Sequence, residues 1–116
     1  MTAREVEAGE ERLDRLFAAL DNRHRRAMVE LLALQPASIS GLARARGLSL
    51  PAMDKHVRIL EGAGLVRRRK TGRTTFLALD RSGLLAVQGW LGAFHAYWGT
   101  EAETLENYTA YLEGEP

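Results

Sequence analysis

Between Ser40 and Gly64 the chain is punctuated too densely for long elements, and this most limits what it can fold into. Ser40 is a candidate N-cap for a short helix, Gly41 to Arg46, and Gly47 supplies the left-handed residue that closes it. Ser49 caps the next helix, with Pro51 in its first turn, where a missing N–H costs nothing. Gly62-Ala63-Gly64 then stops that helix. The apolar positions Leu42, Ala43, Leu48, Met53, Val57, Leu60 and Leu65 are those needed to pack the two helices at a steep angle across a tight turn.

Upstream, Leu13, Leu16, Phe17 and Leu20 form an apolar stripe on a charged helix, from about Glu10 to Asp21. Asp21 or Asn22 caps a second helix, Arg23 to Ala33, with Ala27, Met28, Leu31 and Leu32 inward, and Pro36 ends it. Ala37–Ile39 has the length of an edge strand. Downstream, Leu65–Lys70 and Thr74–Leu79 read as a hairpin around Thr71-Gly72-Arg73. Asp80 or Ser82 begins the last helix, which carries Leu84, Leu91, Trp98, Leu105 and Leu112 at a seven-residue repeat. Gly99 followed by Thr100-Glu101-Ala102-Glu103 resembles a stop and a capping box, and so a kink. The expected architecture is mainly α with a small β-hairpin, in one domain over residues 10–113. Residues 40–62 form a helix-turn-helix, 65–79 a wing, and 82–113 a C-terminal dimerisation helix.

A chain of 116 residues accommodates one ordinary domain. Its apolar runs are too short to span a bilayer, and from the charged N-terminus no signal peptide is expected. No cysteine is present, which removes disulfides, thiolate metal sites and thiol chemistry, and the expected compartment is the cytoplasm. No Ser/His/carboxylate spacing suggests catalysis and no Gly-rich loop follows a strand, so no enzyme and no cofactor is expected.

The net charge of +1 conceals a segregation. Residues 23–73 carry twelve basic side chains against three acidic ones, whereas residues 1–22 are at −3 and residues 74–116 at −5. A basic middle between acidic ends points to a polyanion partner for the middle alone. Its second helix suits the major groove, which admits one α-helix. With Met53 toward the core at about 100° per residue, Pro51, Lys55 and Arg58 cluster on the far side, with Asp54 beside them. The hairpin adds Arg67, Arg68, Arg69, Lys70 and Arg73, suited to phosphates or the minor groove. Asp54 is expected to have a mixed role, pairing with Arg58 one turn on and restricting the operator by accepting a hydrogen bond from a cytosine amino group.

The stretch Leu20-Asp-Asn-Arg-His-Arg-Arg-Ala-Met-Val-Glu-Leu-Leu32, the segment Asp54-Lys-His-Val-Arg-Ile-Leu60, and Gly64-Leu-Val-Arg67 resemble the ArsR/SmtB family of winged-helix transcription regulators. The likeness spans roughly residues 12–112. It implies a homodimer joined through the first and last helices, with recognition helices in successive major grooves of a two-fold double-stranded operator. Carried over by position, family DNA contacts fall on Leu50, Pro51, Asp54 and Lys55 and on the wing from Arg69 through Lys70 and Thr71 to Arg73. His56 and Arg58 complete the expected DNA-facing set. The interface set is Leu13, Leu16, Phe17, Leu20, Leu84, Leu91, Phe94, Trp98 and Leu105.

The chain departs from the family's metal sensors. The helix before the recognition helix lacks their Cys-x-Cys element, and only Asp80 and His95 approach the ligand positions of the last helix, so no metal is expected. His56, on the flank of the recognition helix, reads equally as a half-buried ring bonded to backbone and as a phosphate contact. His24 is expected exposed and His95 packed at the interface. Trp90, Phe94, Tyr97 and Trp98 read as interface packing or as a small-molecule effector pocket between protomers. The leading function is a homodimeric, sequence-specific repressor. The competing one is a winged-helix protein-interaction module, against which the Lys/Arg-rich middle argues.

Overall fold

Helix α1 (Ala3–Leu20) starts well before its apolar stripe, because Thr2 and Glu5 close a reciprocal capping box. The Thr2 hydroxyl accepts from the Glu5 amide at 3.2 Å and the Glu5 carboxylate accepts from the Thr2 amide at 3.1 Å. Asn22 caps α2 (Arg23–Leu34), its Oδ1 accepting from the His24 and Arg25 amides at 2.9 and 3.2 Å. The inward face of α2 is Met28, Val29 and Leu32; Leu31, expected inside, points outward. The stripe that wins is Arg25, Met28, Val29 and Leu32, spaced i, i+3, i+4 and i+7. In this computed structural model residues 1–98 and 101–114 are described, without the side chains of 95–98, 101, 103 and 104.

Strand β1 (Ala37–Ser38) leads directly into α3 (Ile39–Arg46). The cap of α3 is Ser38 rather than Ser40, because the Ser38 hydroxyl accepts from the Gly41 amide at 3.0 Å. Gly47 closes α3 in the left-handed region, and Ser49 caps α4 (Leu50–Gly62), its hydroxyl accepting from the Ala52 amide at 3.3 Å. Strands β2 (Val66–Thr71) and β3 (Thr74–Leu79) form the hairpin, and the antiparallel sheet runs β1-β3-β2. Thr71 pairs with Thr74, so the loop shrinks to Gly72-Arg73, with Gly72 at φ 63° as a two-residue turn requires.

The chain divides into two compact units, Met1–Leu84 and Leu85–Pro116. In the first, Leu16, Met28, Met53, Val57, Leu60, Leu65 and Leu77 are fully buried, one or more from each of α1, α2, α4 and the hairpin. This is a winged helix-turn-helix, mainly helical with a small antiparallel sheet. The segment expected as one last helix comprises α5 (Arg81–Trp98) and α6 (Glu101–Gly114). The kink expected at Gly99, and the side chains of His95, Tyr97 and Trp98, lie outside the described residues.

The start of α5 crosses the exit of α4 at close range. The Gly83 amide donates to the Gly64 carbonyl at 3.1 Å, and the Asp80 amide to the Leu65 carbonyl at 2.8 Å. A Cβ on Gly83 would lie 2.6 Å from the Gly64 oxygen and 3.0 Å from the Leu16 and Leu65 methyls, so only glycine fits without a shift. In the second unit the described apolar side chains of α5 and α6 are exposed or half-exposed, and Trp90 and Phe94 meet edge to face at 4.6 Å.

Candidate nucleic-acid interface

Helix α4 divides its residues cleanly. Met53, Val57 and Leu60 are fully buried, while Leu50, Pro51, Lys55 and Arg58 are exposed on the other side. Asp54 lies between the two faces and is committed to two arginines. Its Oδ2 stands 2.8 Å from Arg58 Nε, one turn along α4, and its Oδ1 accepts from Arg68 Nη1 of β2 at 2.9 Å. Arg68 also donates from Nε and Nη2 to Glu61 Oε1, at 3.1 and 2.8 Å. The hydrogen bond from Arg68, and then the charge of Arg58, hold the Asp54 carboxyl below the usual carboxylate range against the opposing effect of burial. Glu61 and Asp54 in turn raise Arg68. The expected i, i+4 pair is present, and the second arginine, from the wing, was missed.

The wing does not present five equivalent cations. Arg67 pairs with Asp80 at 3.3 Å, and Arg68 is turned onto α4. The Asp80 carboxyl lies below its ordinary value, chiefly because the Ser82 amide donates to it at 3.0 Å, with the Ser82 hydroxyl and Arg67 adding to the effect. Arg69, Lys70, Thr71 and Arg73 are exposed, and the three cations among them make no ion pair with the described residues. The cationic tip of the hairpin is therefore smaller than the sequence count of basic residues.

The histidines are placed differently from expectation. His56 is half-buried with Nδ1 3.1 Å from Arg25 Nη1, so this nitrogen is the acceptor and the ring is neutral in the contact. The half-burial is as expected, and the partner of Nδ1 is the Arg25 side chain rather than backbone. His24, expected exposed, is half-buried: its Nδ1 accepts from Arg46 Nε at 3.2 Å and its ring centroid lies 5.7 Å from that of His56. Burial, then the charges of Arg25 and His24, push the His56 imidazole below its ordinary value. Arg25 itself donates from Nε to the Ala19 carbonyl at 2.6 Å and from Nη2 to the Ala18 carbonyl at 3.3 Å, satisfying the end of α1. The one sequence signal for Arg25 is that it heads the buried stripe of α2.

The expected interface residues separate as well. Leu16 is fully buried inside the first unit, so it belongs to the protomer's own core and is corrected out of the interface set. Leu13, Leu20 and Leu84 are half-buried and Phe17 is exposed. Leu91, Phe94 and Leu105 are exposed, and the side chain of Trp98 lies outside the described residues.

Residues 20–69 match the model of a helix-turn-helix domain family. The HTH-type transcriptional regulator Rv2034 of Mycobacterium tuberculosis is 40% identical over 81 residues, which span 70% of this chain and 76% of that protein. Among solved structures, an ArsR family transcriptional regulator superposes with TM-score 0.72 at 34% identity, covering 79% of this chain and 95% of the other. A possible transcriptional regulator for arsenical resistance gives TM-score 0.63 at 33% identity, covering 81% and 94%.

Proposed function

This chain belongs to the ArsR family of winged helix-turn-helix, DNA-binding transcriptional regulators, and on that premise we propose that it acts as a sequence-specific, homodimeric repressor of a two-fold operator. The observation that carries this reading is the array of unpaired or outward cations on one helix face and the adjoining hairpin tip: Lys55, Arg58, Arg69, Lys70 and Arg73. A helix with one fully buried face and one charged face suits insertion into a major groove, and a basic hairpin beside it suits phosphates. Leu50, Pro51 and Thr71 frame the same surface.

The homodimer in this reading joins through the first and last helices, by Leu13, Phe17 and Leu20 on one side and Leu84, Leu91, Phe94, Trp98 and Leu105 on the other. The exposed apolar residues of α5 and α6 support it, since monomeric proteins rarely leave large contiguous apolar patches uncovered. The reading includes no metal, because the chain has no cysteine and α3 offers none of the thiolates such sensors use. Trp90 and Phe94 then either pack in the dimer interface or border a small-molecule pocket there.

Selection of bound duplexes from a random pool tests it. The expected result is a two-fold motif with half-site centres about 10–11 base pairs apart, one helical turn. Affinity should fall by orders of magnitude between about 50 and 200 mM salt. No enriched sequence together with a flat salt response overturns the reading.

A further inference from the structure

The Asp54 carboxylate faces two arginines, one on its own helix and one on the wing, and the two contacts use different oxygens. This changes what each residue is free to do. Oδ1 accepts from Arg68 and Oδ2 is ion-paired with Arg58, so a guanidinium stands beside each oxygen. A base amino group would have to compete with two charged donors for it. Arg58 is held only through Nε, at 2.8 Å, and its side chain is 75% exposed. Its two terminal nitrogens make no ion pair or hydrogen bond with the described residues, and Arg58 shares the exposed face of α4 with Pro51 and Lys55.

A guanidinium drawn toward a carboxylate at Nε is biased toward one orientation and still presents two parallel N–H donors at its far end. That end-on fork matches the O6 and N7 acceptors of guanine in the major groove. Lysine, a point charge on a flexible stem, has no such geometry. The cost of immobilising a long side chain on binding falls when a neighbour has already fixed it. The same carboxylate is tied to β2 through Arg68, which Glu61 holds from the other side. Asp54 therefore orients Arg58 relative to the wing as well as to the helix.

We infer that Arg58 is the guanine-reading residue of the recognition helix and that Asp54 is a positioning residue that aims it without contacting a base. This rests on the proposed DNA-binding function. It revises the sequence reading in which Asp54 accepts from cytosine.

The test uses the full chain and the duplex that the wild type enriches from a random pool, with each guanine replaced in turn by 7-deazaguanine, which lacks the N7 acceptor. One guanine per half-site should weaken wild-type binding by roughly 5- to 150-fold when modified. In Arg58→Gln that penalty should vanish while binding to random duplex survives through the remaining cations. In Asp54→Asn the penalty should shrink and random-duplex affinity should rise, because a repulsive charge is gone and the fork is no longer aimed. An undiminished guanine penalty in Arg58→Gln overturns the assignment. So does an Asp54→Asn variant that keeps the full guanine penalty and loses selection at a cytosine instead. Absence of binding to any duplex at low salt overturns the proposed function itself, a separate outcome.

Discussion

In residues 1–84 the side chains of Leu16, Met28, Met53, Leu60, Leu65 and Leu77 are fully buried, whereas in residues 85–116 those of Leu85, Leu91, Phe94, Leu105, Tyr108, Tyr111 and Leu112 remain between 46 and 66% exposed. The two regions draw on the same apolar residue types, so composition does not explain the contrast. Seven elements can surround one another and exclude water; two helices in sequence have too few neighbours to do so. The first unit is stabilised by what it encloses. The second carries exposed apolar surface, which the proposed homodimer would cover.

The largest expected effect breaks the first unit and spares the second. Leu60→Ala removes a fully buried side chain and should cost about 2–5 kcal/mol in urea unfolding. Leu91→Ala, exposed in the protomer, should leave the protomer's fold intact and raise the dimer dissociation constant about tenfold in sedimentation, near 1.4 kcal/mol. Equal loss of folding stability in both variants, with dissociation unchanged, would end the contrast.

Glycines sharpen it at a smaller scale. Gly83→Ala drives a methyl against the Gly64 carbonyl, and the required shift should cost about 1–3 kcal/mol. Gly89→Ala, also helical but with nothing within 4 Å of the added carbon, should raise stability by up to about 1 kcal/mol. Calorimetry on both variants gives the two signs directly, and a stabilising Gly83→Ala would mean that the α4–α5 crossing is looser than its geometry.

The smallest effect is a pH slope confined to the first unit. The folded imidazole of His56 takes up a proton less readily than the unfolded one, whose ordinary value is 6.5. The unfolded chain therefore binds more protons as pH falls through that value, and stability drops there, whereas above it the contribution is complete. The groups facing His56 are Arg25 and His24 from α2, with Arg46 of α3 behind His24. His56→Gln should flatten unfolding free energy between about pH 5 and 7; an unchanged slope would remove His56 as its source.

Local punctuation was legible in the sequence because its physics is local. Ser49 with Pro51, Gly47 and Gly72 fall where the structure uses them. The choice of Ser38 over Ser40 was not legible, since two serines stand two residues apart and only the backbone entering α3 decides. Thr2 and Glu5 had the capping-box spacing, hidden by a turn with no apolar periodicity. The exposed cations Lys55, Arg58, Arg69, Lys70 and Arg73 needed nothing but charge and phase. The internal partners needed the fold: Arg68 finds Asp54 only when β2 lies beside α4, and Arg25 finds His56 across 31 positions. The stripe on α1 likewise announced an apolar face without saying which side chains the protomer keeps, Leu16 buried and Phe17 left exposed.

Arg25 ties the first helix to α4. One planar guanidinium, with its donor directions fixed, holds two carbonyls at the end of α1 and the ring of His56 on α4. Neither helix can slide by much more than the tolerance of a hydrogen bond without breaking one of the three contacts. In a two-fold assembly built on α1, tilting that helix would carry the recognition helix with it. On the proposed homodimer, the separation of the half-sites would be set at the dimer joint, and a change there would alter operator spacing before it altered which bases are read.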